Sequence, residues 1–122
     1  MNVYEPEHKD VMKWVNSPES RWPAADWDYY VLNGNNDDLV LDLANRSSCS
    51  KQEFFIHCLY YLVGDYVNEG KASTVKRRRI QALLDCVDDG YSEEVLAWRA
   101  RTQAALDGVE RIDPMEWLHF GM

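Results

Sequence analysis

Between Phe54 and Val67 apolar side chains recur at helical spacing on a stripe too wide for one neighbour to cover: Phe54, Phe55, Cys58, Leu59, Leu62, Val63, Tyr66 and Val67. A helix of this kind has to be flanked on both sides. The chain is therefore expected to be built around a central helix at about residues 50–68. Ser50-Lys51-Gln52-Glu53 has the form of a capping box at its start, and Gly70 marks its stop. The strongly apolar part, interrupted by His57, Gly64 and Asp65, is 14 residues long. That is short of the roughly 20 residues a membrane span requires.

The second half reads as helices that can flank it. Thr74 to Val87 places Val75, Ile80, Leu83, Leu84 and Val87 inward, with Gly90 after it. Ser92 is a good N-cap, and Glu93 and Glu94 suit the first turn. Val95, Trp98, Thr102 and Leu106 then mark one face before Gly108. Asp113-Pro114-Met115-Glu116 combines a cap, a Pro at the first helical position and an acidic first turn, opening a short helix with Trp117, Leu118 and Phe120 that docks back on the core.

The first third allows two readings. Pro6 to Val15 is expected to be a short helix with Val11, Trp14 and Val15 inward, and Ser17-Pro18 resembles another helix start. From Trp22 to Asn45 the chain reads either as helices at Pro23–Leu32 and Asn36–Ala44, or as a small β-hairpin at 28–43 turning at Asn33-Gly34. Helices are favoured, because an isolated hairpin without sheet neighbours is marginal. The expected fold is an all-α single domain over residues 1–122, with five to seven helices.

The 122 residues include 13 Lys or Arg and 21 Asp or Glu, a net charge of −8. Residues 1–68 hold 5 basic and 11 acidic residues, the remainder 8 and 10, so the surplus sits in the N-terminal half. Such a surface opposes direct binding of nucleic acid or an anionic membrane and suits a basic partner. The N-terminus has no signal-peptide pattern, and Cys49, Cys58 and Cys86 show no CxxC spacing. Both features fit a cytoplasmic protein with packed, reduced thiols.

No HExxH, GxSxG, Walker or dinucleotide pattern is present, and His8, His57 and His119 are far apart in sequence. The reading is of no enzyme, no cofactor and no metal. His57 with Cys58 and Asp65 is the one grouping from which an unrecognised catalytic site could be built. Adjacent helical residues, however, point about 100° apart. Asp37, Asp38 and Asp42 lack calcium-loop spacing.

Two stretches stand out. Lys76-Arg77-Arg78-Arg79 lies at the positive end of its helix while Asp85, Asp88 and Asp89 lie at or beyond the negative end. Each such mismatch costs on the order of 0.3–1 kcal/mol, so tertiary ion pairs with acids of the first third, or a partner, are expected to hold the arginines. The second is Trp22 to Tyr30 followed by Asp37, Asp38 and Asp42, where aromatics alternate with carboxylates. Against a basic partner, Asp26, Asp28, Asp37, Asp38 and Asp42 would steer association, with Trp27 and Tyr29 as anchors. The competing reading puts the aromatics in the core.

The run from Glu53 to Val67, together with Leu83-Leu84-Asp85, Trp98-Arg99-Ala100-Arg101 and Asp113-Pro114-Met115-Glu116-Trp117, resembles small acidic helical immunity proteins of bacterial polymorphic and contact-dependent growth inhibition toxin systems. The resemblance covers about the last 70 residues. It implies a protein that neutralises a cognate basic toxin domain, such as a nuclease, by stoichiometric occlusion. Folds and binding modes differ across that group, so no site residue carries over, and the aromatic-acidic stretch lies outside the matched region. The alternatives are a phage-encoded acidic inhibitor of a host defence complex, the enzyme described above, and a helical adaptor.

Overall fold

The computed structural model describes residues 1–122. Seven helices run in chain order: α1 His8–Val15, α2 Trp27–Val31, α3 Asp37–Asn45, α4 Gln52–Asn68, α5 Thr74–Cys86, α6 Glu93–Leu106 and α7 Pro114–Leu118. There is no strand, so the hairpin at 28–43 is not formed. The segment between α2 and α3 turns at Gly34, whose φ of 92° suits glycine. The physical reason is burial. As two short helices, 28–43 directs Val31, Val40, Leu41 and Leu43 onto one core, whereas two strands without a sheet would leave an apolar face open.

Helix α4 is the axis. From Phe54 to Tyr60 every residue is buried, followed by Leu62, Val63, Gly64 and Tyr66. Helices α2, α3, α5, α6 and α7 all pack on it. One core cluster takes in residues from all seven helices, from Val11 to Trp117. Each large apolar side chain fully withdrawn from water contributes about 1.5–3 kcal/mol. Within that cluster Trp14 makes edge contacts with Trp27 and Phe54 at 5.0 Å, and Trp22 meets Phe54 at 5.0 Å.

Gly64 sets how closely α7 approaches. A Cβ there would lie 3.0 Å from the Leu118 amide nitrogen and 3.0 Å from Trp117 Cβ, so only glycine leaves room for α7. The tail closes further when Phe120 stacks on Tyr60 at 3.7 Å. Arg101 lies over the rings of Tyr60 and Trp117.

Several local expectations change. The Ser50–Glu53 capping box does not form: the helix begins at Gln52 with Lys51 as its N-cap, and Ser50 donates to the Val15 carbonyl. Lys51 donates to the carbonyls of Trp14 and Ser17, and Gln52 to Ala44, so these side chains satisfy the carbonyl ends of α1 and α3. Ser17-Pro18 opens no helix, and Val75 is exposed, since α5 directs Ile80, Leu83 and Leu84 inward. The caps at Ser92 and Asp113 form, accepting from Val95 and Met115.

Candidate partner-binding surface

The aromatic-acidic stretch divides between interior and surface because α2 is a helix of one and a half turns set against α4. Its inward side holds Trp27, fully buried, and Asp28, 5% exposed. Its outer side presents Tyr29, with Asp26 exposed at the N-cap in a left-handed conformation. On α3, Asp38 and Asp42 are exposed, and Asp42 pairs with Arg46 at 2.6 Å. Asp37 turns the other way, taking two hydrogen bonds from Arg79 at 3.0 and 2.9 Å. Trp27 and Asp28 therefore present no surface to a partner, and Asp37 is engaged internally. The surface members of the set are Asp26, Tyr29, Asp38 and Asp42.

Arg79 also donates to the Leu32 carbonyl at 3.1 Å, so one guanidinium ties α5 to α3 and to the chain leaving α2. Lys76 bridges Asp65 of α4 and Glu69 at its C-cap. Burial alone would lower the Lys76 ammonium, but its hydrogen bonds to Asp65 and Glu69 outweigh that and hold it above the ordinary lysine value. Tertiary pairing thus accounts for two of the four cations at the start of α5. Arg77 and Arg78 are exposed.

Asp28 has a partner that sequence spacing gives no sign of. Its Oδ2 lies 2.7 Å from His57 Nε2 on α4, and His57 Nδ1 lies 2.6 Å from the Phe120 carbonyl. The Phe120 carbonyl can only accept, so Nδ1 carries the proton between them, and a second proton lies between Nε2 and the Asp28 carboxyl. Asp28 Oδ1 accepts from the Tyr29 amide at 2.8 Å. The pair links α2, α4 and the C-terminal tail under Trp22, whose ring is 5.7 Å from the imidazole.

His57, Cys58 and Asp65 do not converge. Both nitrogens of His57 are engaged, Asp65 belongs to the Lys76 bridge, and the fully buried Cys58 has its thiol pushed well up by burial and then by the charge of Asp28. A thiol so placed is held protonated, the form that is not nucleophilic. No group of three or more His, Cys, Asp or Glu side chains is placed to hold a metal.

Two concavities flank the Arg79–Asp37 pair. On one side a cavity of about 220 Å³ is walled by Tyr4, Tyr29, Tyr30 and Tyr61, with Leu62, Asp65, Lys76 and Arg79 completing it. On the other, Asp37 and Asp38 line a depression with Arg79, and Asp38 continues into a hollow with Asp42 and Tyr91. The phenol of Tyr61 is pushed up to about 12, first by burial and then by the negative charge of Asp28, Asp65 and Asp26. Tyr4 and Tyr61 lie outside the aromatic-acidic stretch, and Tyr30 is its last aromatic. Tyr4 is brought to Tyr30, 5.1 Å between rings, by a tether in which Asn36 and Asn33 donate to the Pro6 carbonyl at 2.9 and 3.2 Å.

No protein-family model, no curated protein and no solved structure matches this chain.

Proposed function

We propose that the protein is an inhibitor of the immunity type, one that binds a basic toxin domain and blocks it by occupying its surface. The observation that supports this most directly is the charge remaining after internal pairing. The seven ion pairs leave Asp26 and Asp38 without a basic partner: Asp38 lines the depression next to Arg79–Asp37, and Asp26 caps α2, whose Tyr29 and Tyr30 wall the cleft that Arg79 also borders. Unpaired carboxylates beside half-exposed aromatics suit a cationic protein surface: the acids raise the encounter rate and the rings supply contact area at low entropic cost. A net charge of −8 adds long-range attraction of the same sign.

The test is co-expression of this chain with the product of the neighbouring gene. The expected result is a stable complex and rescue of growth. In the purified pair, Asp26→Lys and Asp38→Lys should slow association several-fold and flatten its salt dependence while leaving the fold intact. Asp37→Lys would confound the measurement, because that carboxylate holds Arg79. A well-folded protein that forms no complex and gives no rescue would overturn the immunity reading and favour an inhibitor of a defence complex.

A further inference from the structure

We infer that the cleft formed by Tyr4, Tyr29, Tyr30 and Tyr61 is a receptor for a guanidinium group, the site where an arginine side chain of the protein partner inserts. The identity of the occupant as a partner's arginine rests on the inhibitor reading above; the preference of the cleft for a guanidinium does not.

Three observations carry the inference. The first is the lining of the cleft: a cavity of about 220 Å³ bordered by four tyrosines, of which Tyr29, Tyr30 and Tyr4 stand in successive edge contacts at 5.8 and 5.1 Å, their ring planes turned 72° and 86° to one another. Phenol faces attract cations, and a planar guanidinium both stacks on and donates to such walls. The second is that these phenols have no internal task. The hydroxyls of Tyr60 and Tyr66 have intramolecular partners, whereas those of Tyr4, Tyr29, Tyr30 and Tyr61 have none and remain as acceptors.

The third is charge. Lys76 and Arg79 also border the cleft and by themselves would favour an anion. Lys76, however, is held by Asp65 and Glu69, and Arg79 by both oxygens of Asp37 and by the Leu32 carbonyl. Each cation is therefore already paired: Lys76 by Asp65, which itself lines the cleft, and by Glu69 outside it, and Arg79 by Asp37 on its far side. Asp65 gives Lys76 only its Oδ2, which leaves the other oxygen as an acceptor for an incoming donor. The Tyr61 phenol is pushed up first by burial and then by the carboxylates of Asp28, Asp65 and Asp26, which places negative groups beside the cleft.

The experiment is an NMR titration of the isotope-labelled full chain with N-acetylarginine amide, with N-acetylnorvaline amide and inorganic phosphate as comparison probes. Expected are saturable shifts centred on Tyr29, Tyr61 and Asp65 with the arginine probe alone. Tyr29 is 55% exposed, so its variants should fold. Tyr29→Ala should weaken binding about two- to fivefold, and Tyr29→Phe, which keeps the ring face, should bind nearly as well as the parent. Phosphate shifting the same residues would overturn the inference, as would arginine shifts scattered over the acidic surface, or none at the limit of solubility. The two readings fail separately. A cleft that takes arginine in a chain that rescues no growth removes only the inhibitor reading. Rescue by a chain whose cleft ignores arginine removes only the cleft.

Discussion

Replacing His57 by leucine isolates what the buried ion pair contributes. The substitution removes both ring donors while keeping an apolar side chain on α4. Asp28, its side chain 8% exposed, is then left with the Tyr29 amide alone, and the Phe120 carbonyl loses its donor. Breaking a buried pair from one side costs about 3–5 kcal/mol, because the remaining charge is neither solvated nor paired. Against a total stability of about 5–15 kcal/mol that is a large fraction. For a chain of this length it corresponds to a fall in Tm of roughly 10–20 °C.

The double variant Asp28→Leu/His57→Leu should be more stable than His57→Leu. It removes both members of the pair and leaves mainly the Phe120 carbonyl unpaired, a cost of about 1–3 kcal/mol. Urea unfolding followed by tryptophan fluorescence gives both numbers, with Trp22 against the imidazole as a local reporter. A His57→Leu protein within about 1 kcal/mol of the parent, or a double variant losing the sum of the two singles, would refute the assignment of a coupled pair.

Arg79→Ala should lower stability by about 1–3 kcal/mol, since it unmakes three charge-assisted hydrogen bonds, while Arg78→Ala, at an exposed position, should stay within about 0.5 kcal/mol of the parent in the same urea assay. Equal effects would mean that the Asp37 bridge contributes nothing. Tyr61 should ionise near pH 12, and Tyr61→Phe should remove a phase there from a tyrosinate absorbance titration. Because its folded pKa lies above the ordinary tyrosine value of 10.0, the native state holds the proton longer than the unfolded chain does; the associated stability is complete below pH 10.0 and declines as pH rises towards 12. A Tyr61→Phe chain with an unaltered alkaline limb would contradict this. Among the thiols, the exposed Cys86 should react with an alkylating reagent at once, and the buried Cys58 only at the rate of unfolding. Mass spectrometry of the labelled chain shows the order directly, and early labelling of Cys58 would disprove it.

The elements legible in the sequence are those whose signals are local and long enough to repeat. Helix α4 shows itself because several turns of apolar spacing fix its inner face. The stripe of Val95, Trp98, Thr102 and Leu106 on α6 is buried as its period requires. Ser92 and Asp113 cap amides two or three residues away, so their roles need no knowledge of the rest of the molecule. Lys76-Arg77-Arg78-Arg79 was legible in a weaker sense: an arrangement unfavourable to its own helix implied distant acids without saying which.

The candidate surface was legible only in part. Asp26 and Tyr29 are exposed and Trp27 and Asp28 are not, but α2 has only five residues, less than the two turns over which a helical period can separate faces. Composition is also blind to partners. Asp28 reads like its neighbouring acids until His57, 29 positions on, lies against it, and Asp37 reads like Asp38 until Arg79, 42 positions on, turns towards it. In the same way Ser50 serves the end of α1, 35 residues back, instead of its own helix.

The sequence by itself determined that this chain is helical, that α4 is its centre, where α5 to α7 begin, and that its surface is acidic. Those properties follow from period, capping chemistry and charge count, which are set within a few residues or summed over all of them. Only the tertiary structure decided which carboxylates are spent inside and which remain outside, and that four tyrosines from three separate segments border one cleft. A carboxylate's free energy depends on the nearest charge and on access to water, and both are fixed only when segments far apart in the chain are packed together.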